Sequence, residues 1–293
     1  MMTAGTALDD LKRRRQEWAP WLAVVEEVLR ESGASTWDAA VPAVNEARPT
    51  TVPLLAGTTL RLPGRSVRRF LARLIRIASL GGTSKMATLR RALDADLDVP
   101  TLFSASLCQD NDRVKGLAET CGADAEALQA VTALLSVPLL HACARRFAPS
   151  INESWVQGYC PVCGSWPAFA EVRGIERSRV FRCGRCDGAW HSRALFCPYC
   201  DMADHEELVE LLPEKTESSA AIDACNRCRG YVKTLTRLQA CPPGTVMLED
   251  LASVELDVAA LEQGFTRPPD AGYVLELRVT EKAAARRFFG WKS

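Results

Sequence analysis

The chain has 293 residues, of which 47% are hydrophobic and 25% charged, proportions that are ordinary for a soluble globular protein. Lysine plus arginine and aspartate plus glutamate number 36 each, so there is no overall positive field to hold nucleic acid. The sequence shows no run of about 18 apolar residues and no cleavable signal pattern. We therefore expect a cytoplasmic protein without a membrane-spanning helix.

Residues 1–150 have the pattern of an all-α domain. The opening segment Leu8–Glu31 is helical in pattern and is expected to break or bend at Pro20. Its basic run, Lys12–Arg15, is interpreted as a solvated helix face. From Ser66, apolar residues recur on one helical face until Gly81 and Gly82 end the helix.

Two further features complete this first part. Asp124 is expected to cap a helix that Pro138 either kinks or replaces with a new helix reaching about Phe147. Residues 48–63 contain three prolines and Gly57, which predicts an irregular loop. Residues 148–154 are expected to link this domain to the rest of the chain.

After the linker, short β-type runs alternate with cysteine pairs. A helix is predicted over Leu251–Gln263, and the residues beyond it show no clear pattern. The predicted strands are Ala168–Val172, Arg179–Arg182, Ala189–Phe196, Glu207–Leu212 and Tyr231–Arg237. The predicted fold class is α+β, with the all-α domain (1–150) followed by two small rubredoxin-like or zinc-ribbon-like β modules, each with a four-cysteine metal site. The first module covers 151–195, and the second, with a C-terminal extension, covers 196–293.

Eight of the twelve cysteines form four Cys-x-x-Cys pairs. Structural disulfides are rare in a reducing compartment, and a two-residue gap lets a tight turn direct both sulfurs at one metal ion. The first two pairs are separated by 19 residues and the last two by 24, which suits a hairpin between two metal-binding turns. The predicted ligands of one metal are Cys160, Cys163, Cys183 and Cys186, and those of the other are Cys197, Cys200, Cys225 and Cys228.

The spacing leaves two questions open. A cross-braced arrangement, in which the first pair joins the third and the second joins the fourth, is an alternative to sequential pairing. Both iron and zinc accept four thiolates in a tetrahedron, and such a closed shell usually contributes folding energy rather than chemistry.

The remaining histidines and cysteines are not expected to bind metal. Eight cysteines already complete two shells, so His191 and His205 are interpreted as ordinary residues near the sites, and His141 as a core or surface histidine. The four cysteines outside the pairs are interpreted as small buried hydrophobes: Cys108, Cys121, Cys143 and Cys241.

No catalytic or cofactor-binding motif is present, so we predict that the protein is not an enzyme. Residues 160–245 carry eleven basic and eleven acidic side chains, which argues against a nucleic-acid-binding zinc ribbon. Four pairs at ribbon spacing fit metal binding better than thiol-disulfide exchange. Rubredoxin-like electron transfer remains an alternative, because an iron centre with four cysteine ligands has the same ligand pattern.

The ordered motifs resemble the formate dehydrogenase accessory protein FdhE family. The resemblance covers roughly residues 160–267 and includes Trp190-His191 after the second pair, Tyr231-x-Lys233 after the fourth, and the stretch from Asp250 to Phe265. It implies a cytoplasmic protein needed for the maturation of respiratory formate dehydrogenases. It also implies rubredoxin-like domains that bind iron, with zinc as the alternative, and direct binding to the dehydrogenase catalytic subunit. Homo-oligomerisation is left open, and neither nucleic acid nor membrane is an expected partner.

Overall fold

The structure is a computed structural model, and it describes residues 3–45, 47–81, 83–94, 97–212 and 219–281. Helices form most of the chain up to residue 150, and the regular elements of the following ninety residues are strands. The predicted α+β class, with helices first and two four-cysteine clusters in the C-terminal region, is confirmed. The boundaries of the three predicted domains remain a prediction.

The helical part contains ten α-helices in the residues described. They are α1 (Ala4–Arg14), α2 (Ala19–Ser32), α3 (Ser35–Asp38), α4 (Gly64–Gly81), α5 (Ser84–Ala87), α6 (Arg90–Asp94), α7 (Val99–Cys108), α8 (Asn111–Cys121), α9 (Ala125–Leu135) and α10 (Val137–Phe147). Pro20 lies in the first turn of α2, where its missing N–H costs nothing, so the predicted break is confirmed. Asp124 caps α9, and Pro138 opens α10.

A buried charged cluster joins α2 to α4. Glu27 and Glu31 of α2 are mostly buried, and Arg73 of α4 donates hydrogen bonds to both carboxylates. Arg30 donates two more to Glu27, and the indole of Trp37 donates to Glu31. Each buried carboxylate therefore has a charged partner, which buried charges require.

The predicted irregular loop over 48–63 was wrong for its last residues, which form a strand. Strand β1 (Thr59–Leu62) pairs in parallel with a strand from the far end of the chain, Arg278–Glu281. Leu60 and Leu62 of β1 are buried while Thr59 and Arg61 are exposed, the alternation of a strand with one face on the core. This pair ties the C-terminal region to the helical part.

Six strands form one sheet in the order β4-β3-β2-β7-β6-β5. The strands are β2 (Phe169–Arg173), β3 (Ser178–Arg182), β4 (Ala189–His191), β5 (Leu208–Leu211), β6 (Ala220–Cys225) and β7 (Tyr231–Arg237), and the strand paired with β1 is β8. Four predicted strands are confirmed to within about two residues at either end. The predicted strand Ala189–Phe196 is too long, since β4 ends at His191, and β6 was not predicted.

The sheet consists of two similar halves. In each half a cysteine turn precedes two antiparallel strands, and a second cysteine turn leads into a third strand. The halves are joined by the parallel pairing of β2 with β7, in which Phe169 lies opposite Lys233. The two modules therefore share a single hydrogen-bonded sheet.

Two C-terminal helices cover one face of the sheet near this junction. They are α11 (Val246–Ala252) and α12 (Val254–Glu262), so the predicted helix Leu251–Gln263 begins earlier than expected and is interrupted at Ser253. Leu256 and Ala260 of α12 pack against Ile222 and Tyr231 of the sheet. The other face of β5, β6 and β7 lines a groove of 520 Å³.

One segment of the described residues is long and apolar enough to span a membrane, Ala125–Ser150, which comprises α9, α10 and a short 3-10 turn. Its most apolar stretch is 83% buried inside the protein. The packing accounts for this apolar character, because Leu128, Val131 and Leu140 all belong to the main core. The segment is weak evidence for membrane insertion, and the structure is compatible with the expected cytoplasmic location.

Two candidate metal centres

The four cysteine turns share one backbone geometry. In each, the residue after the second cysteine donates an N–H to the carbonyl of the first cysteine, and the first cysteine donates to the residue five positions later. The residue after the second cysteine always has a positive φ, between 57° and 73°. The four residues at this position are Gly164, Asp187, Asp201 and Arg229, and only the first is glycine. The tight turn therefore imposes the left-handed conformation even where a side chain disfavours it.

This geometry brings the sulfurs together in sequential pairs, as predicted, and not in the cross-braced arrangement. In the first cluster, Sγ of Cys160 lies 3.5 Å from Sγ of Cys186, and Sγ of Cys163 lies 3.5 Å from Sγ of Cys183. In the second, the corresponding distances are 3.6 Å and 3.7 Å, for Cys197 with Cys228 and Cys200 with Cys225.

These distances fit a tetrahedral metal site. A metal–sulfur bond of about 2.3 Å places tetrahedral sulfurs about 3.8 Å apart, whereas a disulfide needs about 2.05 Å. All twelve cysteines are free thiols, and within each cluster the sulfurs lie within 4.8 Å of one another. Both clusters can hold a metal ion, and ligation by the eight named cysteines remains a prediction.

The thiols of the clusters differ in proton affinity. Burial raises the pKa of Cys160, whereas hydrogen bonds from the neighbouring thiols, Cys160 first, lower the pKa of Cys163. In the second cluster, burial raises the pKa of Cys228 to about 11. Metals bind thiolates, so metal uptake must release protons from the thiols whose pKa is raised. Metal binding must therefore weaken as the pH falls.

Backbone N–H groups also point at the sulfurs. Val162 donates to Sγ of Cys160 over 3.4 Å, Cys186 to Sγ of Cys183 over 3.5 Å, and Gly230 to Sγ of Cys228 over 3.4 Å. Hydrogen bonds of this kind stabilise the negative charge of thiolates and tune a bound metal.

Glycines allow the chain to pass close to the sulfurs. A Cβ on Gly188 would lie 3.0 Å from Sγ of Cys186, and a Cβ on Gly230 would lie 2.5 Å from the ring of Tyr199 and 3.2 Å from Sγ of Cys228. Each of these two glycines comes two residues after a cysteine pair. Glycine is required there because the backbone passes close to a sulfur atom, and not because φ is positive.

The first cluster is anchored to the helical part. The N–H groups of Leu54 and Leu55 donate to the carbonyls of Pro161 and Val162, inside the first cysteine turn. From the second turn, the guanidinium of Arg185 donates to the carbonyls of Ser106 and Leu107 in the last turn of α7, where carbonyls lack helical partners. Arg185 also donates to the hydroxyls of Ser136 and Ser165. The core of the helical part and the first cluster are continuous.

A buried polar network supports the second cluster. Lys233 of β7 is completely buried, and its Nζ lies 2.6 Å from a carboxylate oxygen of Asp250 and 2.9 Å from one of Asp257. Arg267 pairs with the same two carboxylates. The Tyr231 hydroxyl donates to Asp257. The motif residues after the fourth cysteine pair are thus joined to the Asp250–Phe265 stretch that follows them in the sequence.

A row of aromatic rings connects the two clusters. Tyr159 precedes the first ligand, and its ring lies 6.2 Å from that of Trp166, whose ring in turn lies 5.1 Å from that of Tyr199 in the third cysteine turn. The hydroxyl of Tyr199 donates to the carbonyl of Tyr231 in β7. Edge-to-face contacts of this kind stabilise packing, so the row fixes the two turns relative to each other.

The residues excluded as ligands lie outside both clusters. His191 and His205 are exposed, while His141 is buried in α10, and burial lowers the pKa of its imidazole. The four other cysteines vary in burial: Cys143 and Cys241 are buried, as expected, whereas Cys108 and Cys121 are only partly buried.

Comparisons with known proteins point to one family, although no family model matches the sequence. The chain is 32% identical over 119 residues to an FdhE homolog of Aquifex aeolicus and 31% identical over 120 residues to one of Stutzerimonas stutzeri. It is 29% identical over 111 residues to FdhE of Salmonella choleraesuis. These alignments cover 37–40% of this chain and 41%, 38% and 35% of the relatives, so the chain matches about two fifths of their length.

A solved structure extends the likeness over nearly the whole chain. The crystal structure of FdhE from Pseudomonas aeruginosa superposes with a TM-score of 0.60 over 92% of this chain and 94% of that one, at 19% sequence identity. At this identity the match shows the fold. The sequence relatives and the shared fold confirm the resemblance to the FdhE family that was drawn from the cysteine motifs.

Proposed function

We propose that the protein is a non-enzymatic accessory protein that assists the maturation of a respiratory formate dehydrogenase by binding its catalytic subunit in the cytoplasm. The observation that carries this proposal is the pair of four-cysteine clusters, the first of them anchored to the helical part, in a fold shared with FdhE. The accessory role comes from the family resemblance and accords with a sequence that has no catalytic motif.

In this function the metal centres build the binding surface. Each centre joins two cysteine turns at the end of a three-stranded unit that is too small to fold on its own hydrophobic core. The first centre fixes the sheet to α7 through Arg185, and the second fixes the turn that borders the groove on the open sheet face. We propose iron as the resident metal of both sites, with zinc as the alternative, because four thiolates accept either ion.

The test is co-purification of the catalytic subunit with tagged protein under reducing, anaerobic conditions. Wild-type protein should retain the subunit, and a Cys183→Ser/Cys186→Ser variant should lose it because the anchored first module no longer forms. The control is Cys121→Ser, the same chemical change at a partly buried cysteine outside both clusters. Absence of the subunit from the wild-type eluate would refute the proposal.

A second candidate function is rubredoxin-like electron transfer. It is favoured by one observation: the second cluster reaches the surface, where Cys228 is exposed. An iron-loaded second site would then show a visible charge-transfer band that bleaches and recovers through cycles of reduction and oxidation. If the zinc-loaded protein supports dehydrogenase maturation as well as the iron-loaded protein does, electron transfer is not part of the function.

A further inference from the structure

The first cluster is fully buried, although Cys186 borders a cavity of 770 Å³ on one side of it. Its four cysteines have no solvent-exposed surface, and they belong to the main hydrophobic core. Its two turns are bonded to other parts of the chain, through Leu54 and Leu55 on one side and Arg185 on the other. Asp187, next to Cys186, also accepts from the N–H groups of Gly244 and Val246. Access to a metal in this cluster therefore requires several of these contacts to break together.

The second cluster is open at one edge. Cys228 is exposed and Cys200 is half-buried, so one edge of the cluster faces solvent. The other two ligands, Cys197 and Cys225, line the 520 Å³ groove on the uncovered sheet face. Asn226, Arg227 and Arg229, which surround Cys228 in the sequence, are exposed as well.

Metal exchange from a four-thiolate shell begins when an incoming ligand reaches the ion and displaces one sulfur. At the second cluster this step needs no opening of the core, whereas at the first it must await an opening of the structure, which is infrequent for core elements. Resting on the metal binding proposed above, we infer that the clusters have different roles: the first retains its metal as long as the core around it stays closed, and the second is an exchangeable site that opens at Cys228.

The chemistry of the site defines what can take part in this exchange. A soft donor, either a thiolate or an imidazole, is the incoming ligand that competes best with cysteine for zinc or iron. A partner that presents a cysteine or histidine side chain at the exposed edge can thus share or remove the second metal. The same partner reaches the first metal only after the contacts around that buried cluster open.

Release of zinc to a chelator tests this inference. Protein loaded with two equivalents of zinc is mixed with the chromogenic chelator pyridylazoresorcinol under anaerobic conditions. One equivalent should leave at a rate that rises with chelator concentration and is at least about tenfold faster than the other. The second equivalent should leave at a rate that does not depend on chelator concentration and that increases with low concentrations of urea.

Alkylation identifies which cluster empties first. Iodoacetamide added after the fast phase should label Cys197, Cys200, Cys225 and Cys228 in a peptide digest, and should leave the first cluster unlabelled. The variant Cys228→Ser should lose the fast phase and retain one slowly released equivalent, whereas Cys121→Ser should release zinc as the wild type does. The wild-type labelling pattern stands as evidence even if the Cys228→Ser variant fails to fold.

Two results would overturn the inference. One is release of both equivalents at a single rate that depends on the chelator. The other is labelling of the first cluster before the second. Neither result bears on whether the protein binds a dehydrogenase subunit, so this test is separate from the co-purification experiment.

Discussion

Replacement of Lys233 by methionine tests the polar network behind the second cluster. The ammonium group is completely buried and is bonded to Asp250 and Asp257 through 2.6 Å and 2.9 Å contacts, and to the Asp250 carbonyl through a third. Methionine fills a similar volume but leaves two partly buried carboxylates with Arg267 as their shared charged partner. Removal of one partner from a buried ion pair costs about 3–5 kcal/mol. We expect a loss of this size in the free energy of unfolding.

The assay is urea unfolding of metal-loaded protein followed by circular dichroism. With a slope of roughly 3 kcal/mol per molar urea, the midpoint should fall by about 1–1.7 M. The matched control is Lys12→Met, which breaks a surface pair with Glu26 that is worth less than about 1 kcal/mol. Adding Asp257→Asn to Lys233→Met should recover part of the loss, because it removes an uncompensated charge. A midpoint shift of Lys233→Met no larger than that of Lys12→Met would refute this reasoning.

Three other substitutions probe the cysteine turns, the anchor on α7 and the buried carboxylates. Gly230→Ala should weaken zinc binding at the second cluster, measured by competition with a chelator. Its control is Gly116→Ala in α8, where an added Cβ would meet no atom within 4 Å, and which should raise the free energy of unfolding by about 0.5–1 kcal/mol. Arg185→Met should cost about 1–3 kcal/mol in urea unfolding, since it removes the side-chain donor to the carbonyls of Ser106 and Leu107 at the end of α7. Burial alone would raise the pKa of Glu27, but its two arginine partners lower it below the ordinary 4.5. The stability from Glu27 is then present above about pH 4.5 and lost as the pH falls through the lowered pKa, and Glu27→Gln should flatten this part of the pH–stability curve.

The elements predicted correctly are those whose signal is local. Helix α4 follows from apolar residues at helical spacing, and α9 follows from Asp124 as an N-cap before such residues. The four cysteine turns follow from spacing alone, because a Cys-x-x-Cys turn fixes the direction of both sulfurs, whereas the spacing left open which turns form one cluster. For these features tertiary contacts reinforce what the sequence already favours.

The features that were missed depend on distant parts of the chain. Strand β6 is rich in alanine, which has low β propensity, and it forms because it lies between β5 and β7. Strand β1 needs a partner more than two hundred residues away, as the pairing of Thr59 with Arg278 shows. The positive φ of Asp187 and Arg229 is set by the cysteine turn, so no glycine marks it in the sequence.

The two halves of the sheet also explain why the two cysteine clusters differ in burial. The strands β2 and β7 pair in parallel, so neither half can close its inner edge without the other, and the helices α11 and α12 cover the face next to this junction. The first half gains further support from the helical domain and is buried with its cluster. The second half lies at the outer edge of the sheet, with β5 as its last strand in the described residues, and one face remains open. A metal bound at its cluster would therefore stabilise this half together with the Lys233 network, and these are the two places where a partner or a substitution can most readily change its structure.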